Sequence, residues 1–375
     1  MCTDGAAWEH SRALIKPTFA RTQIADLHLS TYAMHLQKLL SIIPKDSSTV
    51  DLQPLFARLA LDSSTEFLFG ESVASLSPGA VSKSAQAFLR AYNHGQNVVG
   101  MRLHLPNWNI LSQDRSFEES CKTAHDFVDG YIKKAEAIYK RGNVCAEDGK
   151  RFILAHELVK TGEKADRIRA QLLNVFLPAH EAAGVALTNI FFHLARNPAV
   201  YTKLREEILK AGSNSSAWTF ERLKGLKYLQ QVISETFRLN PAIGTNARMA
   251  LRDTTLPTGG GSGDSPIFVR KGDIVTVSFY ALHRRRDLFG DDADVFRPER
   301  WDTLRPVHWS YLTFGGGPRV CPGQNLALTE VSYAIVKIVE AFKAIENRDP
   351  VQEFEEVYKI TTDSKNGAKV ALVPV

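Results

Sequence analysis

Cysteine is scarce in this chain. There are four in 375 residues, Cys2, Cys121, Cys145 and Cys321, and no pair has C-x-x-C spacing. That excludes a disulfide scaffold and a cysteine-rich zinc site, and makes a reducing compartment the simpler reading. A dominant charge is also lacking. The 46 Lys and Arg against 41 Asp and Glu leave a net +5, spread along the chain. The densest basic run, Arg284-Arg285-Arg286, reads as a solvated turn or as a face for an acidic redox partner, and not as a nucleic-acid surface. Met1-Cys2-Thr3-Asp4-Gly5 lacks the apolar segment of a signal peptide. No run of 18 consecutive apolar residues occurs, so no spanning helix is expected. There is neither an internal repeat nor a low-complexity linker, so a single domain over 1–375 is expected. What the chain does have is a 44% hydrophobic content and enough length to bury a substantial core.

Most of the sequence has helical periodicity. Helices are predicted over Trp8–His35 (in two pieces around Pro17), Leu52–Phe69, Val81–Tyr92 and Ser116–Arg141. A shorter helix follows, then a very long one over Lys164–Arg196, stopped by Asn197-Pro198. Two more run over Leu194–Ala211 (after that proline) and Leu226–Leu239, the latter ended by Asn240-Pro241. Pro44–Ser48 and Gly142–Gly149 read as loops. Beyond residue 241 the texture changes. Thr245–Leu256, Ile267–Val269 and Ile274–Ser278 read as short strands around a Gly259–Asp264 hairpin loop. A helix to Phe342 and short terminal strands complete a mainly α chain with a small β region.

The most informative segment is Phe314-Gly315-Gly316-Gly317-Pro318-Arg319-Val320-Cys321-Pro322-Gly323. Its glycines permit turns that a side chain would forbid. Arg319 offers a cationic fork for a carboxylate. The helix that follows puts its positive end near the sulfur, which favours thiolate. A lone cysteine beside a glycine turn is ordinarily a packed or free thiol. A thiolate in a tight loop, with an arginine for a propionate, is what an axial haem ligand needs.

The segment resembles, at every fixed position, the haem-binding signature F-x-x-G-x-R-x-C-x-G of the cytochrome P450 family. The resemblance implies haem b (iron protoporphyrin IX) held by Cys321, with Phe314, Gly315, Arg319 and Gly323 forming the cradle. Glu235 and Arg238 are helix neighbours, by spacing alone an ordinary surface ion pair of little worth. They resemble the family's E-x-x-R element, and Phe296-Arg297-Pro298-Glu299-Arg300-Trp301 resembles its meander. The resemblance makes Glu235, Arg238 and Arg300 a buried network that supports the cysteine loop. Trp8 and Arg12 match the family's W-x-x-x-R helix, and Arg248 its strand arginine. By that likeness Arg12, Arg248 and Arg319 would clamp the propionates.

One departure matters. Pro178-Ala179-His180-Glu181-Ala182-Ala183 aligns with the family's A/G-G-x-D/E-T-T segment. Glu181 keeps the acid, but Ala182 stands where the family has the threonine whose hydroxyl helps deliver protons. A water would have to substitute. His180-Glu181 also opens like the zinc motif H-E-x-x-H, but Gly184 occupies the second histidine's place, so that reading fails. Pocket residues by resemblance are Phe176, Ala179, Ala182 and Ala183 from the long helix, Ile243, Gly244 and Thr245 after Pro241, and Thr362 to Ser364 in a C-terminal turn over the haem. Region 251–301 looks most like the fungal class that hydroxylates alkanes and fatty acids.

The resemblance therefore implies a monooxygenase acting on a hydrophobic substrate (a fatty acid, alkane or secondary metabolite), with electrons from NADPH–cytochrome P450 reductase and no nucleic-acid partner. The alternatives are an oxygen-independent isomerase or dehydratase and a non-catalytic fragment. Family members carry a membrane anchor, a first sheet and first helices ahead of the Trp8 helix. The expectation is an N-terminally incomplete P450 fold without an anchor, cytosolic or peripheral to the endoplasmic-reticulum membrane.

Overall fold

The computed structural model describes residues 4–19, 27–77, 79–104, 114–141, 152–212, 217–358 and 361–375. The elements are α1 (Gly5–Ile15), α2 (Leu27–Ile42), β1 (Val50–Asp51), α3 (Leu52–Phe69), α4 (Lys83–His104), α5 (Arg115–Lys140), α6 (Leu154–Lys160), α7 (Ala165–Arg196), α8 (Pro198–Gly212), α9 (Phe220–Gly225) and α10 (Lys227–Leu239). Then come β2 (Thr245–Met249), β3 (Thr254–Gly260), β4 (Ser265–Val269), β5 (Ile274–Ser278), α11 (Phe279–Leu282), α12 (Arg286–Phe289), α13 (Gln324–Ala341), β6 (Phe342–Asn347), β7 (Glu356–Tyr358), β8 (Thr362–Ser364) and β9 (Lys369–Pro374). The molecule is mainly α, as expected.

Local chemistry sets several boundaries. Asp51 caps α3 by accepting the Gln53 N–H, and Gly70 ends it in the left-handed region at φ 81°. Asp114 caps α5 by accepting the N–H groups of Ser116 and Phe117. Asn197-Pro198 and Asn240-Pro241 stop α7 and α10 where the sequence said they would.

Helix α7 organises the rest. From Ala183 to Ala195 it is buried on all sides. It passes so close to α3 that a Cβ on Gly184 would lie 3.1 Å from the Phe56 carbonyl oxygen. One apolar core joins α2, α3, the second half of α7, α8, α10 and α13. A second joins α4, α5, α6 and the first half of α7. The Cys321 loop stands at their meeting point, since Phe314 packs on the first core and Leu326 belongs to the second. The antiparallel sheet β1-β9-β6 closes one side, while β2-β5, β3-β4 and β7-β8 are two-stranded.

Some expectations are corrected. Thr245–Leu256 is not one strand: Thr245–Met249 pairs with β5, and Thr254–Gly260 pairs with β4. Helix α4 runs past the expected end at Tyr92 to His104, through Asn93-His94-Gly95-Gln96-Asn97, because it packs along α5. Helix α9 and the two-residue β1 were not foreseen, being too short to show periodicity. The Gly142–Gly149 loop lies outside the described residues. Among those described, α7 is long and apolar enough to cross a membrane by length and composition, although no 18-residue run is unbroken. Its most apolar window is 67% buried inside the protein, which suits a core helix.

Candidate active site

The site begins with the loop that leads into α13. Gly315 (φ 72°) and Gly317 (φ 69°) are left-handed, which favours glycine. Between them, a Cβ on Gly316 would fall 2.3 Å from the Trp309 ring, so that position excludes any side chain. The Gly315 N–H donates to the Leu312 carbonyl (2.8 Å), and the Cys321 N–H to the Phe314 carbonyl (2.9 Å). The Cys321 side chain is left exposed, yet crowded from behind. Burial pushes its thiol pKa up, while the Gly323 N–H and Arg12 pull the other way.

A buried charge network supports this loop from below. Glu235 and Arg238 have side chains 0% exposed, and Arg300 3%. Arg238 makes a bidentate pair with Glu235 (Nε 2.9 Å, Nη2 2.8 Å), the strong class of ion pair. Glu235 also accepts from Arg300 Nε (3.3 Å), Trp301 Nε1 (3.0 Å) and the Arg297 N–H (3.0 Å). Arg238 donates onward to the His283 carbonyl (2.8 Å). The His283 ring Nε2 then accepts the Leu312 N–H (2.9 Å), at the entrance to the cysteine loop. Burial holds the His283 pKa down to about 4, so the ring is a neutral acceptor at physiological pH. One residue before Arg238, Phe237 packs edge-on against Phe314 at 5.8 Å. The E-x-x-R pair, the meander arginine and the cysteine loop thus form one connected body.

The arginines are placed unequally. Arg12 Nη2 donates to the Val320 carbonyl (2.9 Å), next to the cysteine. Arg319 lies over the Trp8 ring at 4.6 Å and binds Asp4 at 2.7 Å. Arg248 is exposed on β2 and bonds to Asn246 and Ala247 of its own strand. Trp8, Arg12 and Arg319 gather at the loop, while the hydrogen bonds of Arg248 go to its own strand.

On α7, Glu181 is held by donors from two other elements. Gln96 of α4 donates to its Oε1 (2.9 Å), and Thr361, just before β8, donates to its Oε2 (3.2 Å). His180 Nε2 lies 3.7 Å from Oε1. The His180 ring stacks on Phe176 at 4.4 Å, and its Nδ1 is 2.8 Å from the Phe176 carbonyl. Burial lowers the His180 pKa. Ala179 and Ala182 are half-buried and Ala183 is buried. Phe176 is fully buried among Phe69, Phe88 and Tyr92. After Pro241, Ile243 and Thr245 are exposed and Gly244 is buried. Thr362 and Ser364 are buried in a strand, not a turn, and the Thr362 N–H donates to the Ala242 carbonyl (2.9 Å).

Gln96, Thr361 and His283 escaped the sequence reading. Gln96 carries no motif, and Thr361 is one residue short of the segment singled out. His283 had the weak signal of a histidine just before a basic run.

The donor set fits a haem iron. Among the described residues one exposed thiol, Cys321, sits just ahead of a helix, in a loop turned by left-handed Gly315 and Gly317. Two arginines flank it. Among the described residues no cluster of His, Cys, Asp or Glu could hold a metal by itself, and an axial thiolate needs none. The Cytochrome P450 family model matches residues 1–368. "Cytochrome P450 monooxygenase himC" of Aspergillus japonicus is 40% identical over 99% of the chain and 67% of its own length. "Cytochrome P450 52A13" of Debaryomyces hansenii is 38% identical over 92% and 69%. "Cytochrome P450 monooxygenase fsdH" of Fusarium heterosporum is 39% identical over 99% and 66%. The chain spans about two thirds of the length of these relatives. With that match along nearly its whole length, and with a built cysteine loop, it belongs to the cytochrome P450 family of haem-iron monooxygenases.

Proposed function

We propose that the chain inserts one oxygen atom of O2 into a hydrophobic small molecule, a fatty acid, alkane or secondary metabolite. It would take electrons from NADPH–cytochrome P450 reductase and use haem b. The observation that carries this reading is Cys321, presented bare at the start of α13 by a loop tied to a fully buried ion network. Haem b, when bound, supplies the redox chemistry, and thiolate donation favours O–O cleavage.

The chain's own residues do the rest. Cys321 would hold the iron, and the bonds from the Gly315 N–H to Leu312 and from the Cys321 N–H to Phe314 would fix the shape of its loop. Arg12 and Arg319 would neutralise the propionates, with Arg319 exchanging Asp4 for one of them. Arg248 is the third cation assigned to this task. Glu181 would hold and move a proton at its carboxylate oxygens. Ala179, Ala182 and Ala183 offer only methyl groups, which suits an apolar substrate.

Ala182 favours a second reading. Without a hydroxyl at that position, rearrangement or dehydration of an oxygenated substrate demands less of the pocket than oxygen activation does. The test has two stages. Purified holoprotein, reduced under carbon monoxide, should show the red-shifted Soret band of a thiolate-ligated haem, and Cys321→Ala should lose it. NADPH- and O2-dependent product formation with reductase then supports the oxygenase. Conversion of a hydroperoxide, with none from electrons and O2, would replace it with the second reading.

A further inference from the structure

We propose that Thr361 is a positioning residue which, through Glu181, supplies the hydroxyl that the long helix lacks at Ala182 and Ala183. The inference rests on the oxygenase reading above. Its basis is a juxtaposition that the alignment of motifs does not contain. The carboxylate of Glu181 is gripped from two other elements, at Oε1 by Gln96 of α4 and at Oε2 by the Thr361 hydroxyl.

Thr361 is built to stay there. It is buried, 4% exposed, and the N–H of its neighbour Thr362 pins the start of β8 to the Ala242 carbonyl. The other groups facing Glu181 are less suited to the task. The short His180 Nδ1 contact with the Phe176 carbonyl requires the proton on Nδ1. That leaves a lone pair on Nε2, 3.7 Å from Oε1. Tyr92 is held protonated, by burial first and then by the Glu181 charge. Gln96 can donate from its amide nitrogen but cannot accept there. A hydroxyl does both, so Thr361 can donate to Glu181 while accepting from a water. The Thr361 proton goes to Glu181, so the onward donor is the water that Thr361 holds, placed from the C-terminal strand and not from the helix.

The test uses the ferric holoprotein and needs no turnover. An infrared difference spectrum of wild type minus Glu181→Gln isolates the Glu181 carboxylate band. Thr361→Val should shift that band, and Thr361→Ser should leave it in place. With reductase, Thr361→Val should lower kcat for product by about 10- to 100-fold, the worth of one hydrogen bond to a charged group. KM should be unchanged, and Thr361→Ser should restore the rate. An unmoved band in Thr361→Val overturns the proposal, as does a serine variant as impaired as the valine one. If the band shifts but wild type forms no product from electrons and O2, the oxygenase reading falls, and with it the role given to Thr361, while the hydrogen bond stands.

Discussion

Replacing Glu235 with alanine should be the most damaging single change away from the cysteine itself. Its carboxylate accepts five hydrogen bonds, two from Arg238 and one each from Arg300, Trp301 and the Arg297 N–H. The alanine variant leaves the Arg238 guanidinium buried without its counter-charge, while Arg300 keeps Asp292 at 2.6 Å. Breaking a buried pair from one side costs about 3–5 kcal/mol, against a total stability of about 5–15 kcal/mol for a typical domain. The loss should be local as well as global. Arg238 steadies the His283 backbone, and His283 holds Leu312, so the cysteine loop loosens and haem retention falls. Urea unfolding followed by circular dichroism reads the first effect through the midpoint at constant slope. The ratio of haem to protein absorbance reads the second. Glu71→Ala is the control, since its pair with Lys134 has both side chains more than half exposed and should be worth at most about 1 kcal/mol. If the two variants lose the same small amount, or Glu235→Ala keeps full haem, the supporting role is wrong.

Three further outcomes are expected. Gly184→Ala forces a Cβ to 3.1 Å from the Phe56 carbonyl and 3.3 Å from Ala57 backbone atoms, which cannot swing away. It should cost about 1–3 kcal/mol, whereas Gly130→Ala, with open space around it on α5, should be neutral or stabilising by up to about 1 kcal/mol; thermal unfolding separates them. His193, buried against Phe296 and donating to Asn240, is held to about 4 by burial, and His283 likewise. Each titrates near 6.5 when unfolded, so the unfolded chain binds more protons between those values. Stability should be whole above about pH 6.5 and lost as pH falls toward about 4, by about 3 kcal/mol per histidine at the limit. Urea midpoints across that range check it: His193→Gln should flatten the fall, and a midpoint that does not move contradicts the assignment. Finally, Arg12→Ala removes the donor to Val320 and should lower haem affinity several-fold in a haem-transfer assay, with little change in the unfolding midpoint.

The parts legible in sequence are those where local rules and tertiary demands agree. Leu52–Phe69 was read to the residue because an aspartate cap and a left-handed glycine bracket it. The stops at Asn197-Pro198 and Asn240-Pro241 are local sterics. The cysteine loop was legible because its chemistry is contiguous: glycines, arginine and sulfur lie within ten residues. Where partners come from afar, the reading failed or stayed silent. The division of Thr245–Leu256 into two strands depends on which strand lies beside each half. Phe176, placed in the pocket wall by resemblance, packs among Phe69, Phe88 and Tyr92, partners that come from α3 and α4.

By itself, the order of residues determined that one thiol would be offered in a tight, arginine-flanked turn at a helix head, because every atom of that device sits close along the backbone. Only the folded arrangement decided what surrounds Glu181. Its two donors come from 85 residues before it and 180 after it, and no local pattern encodes a contact between segments that distant.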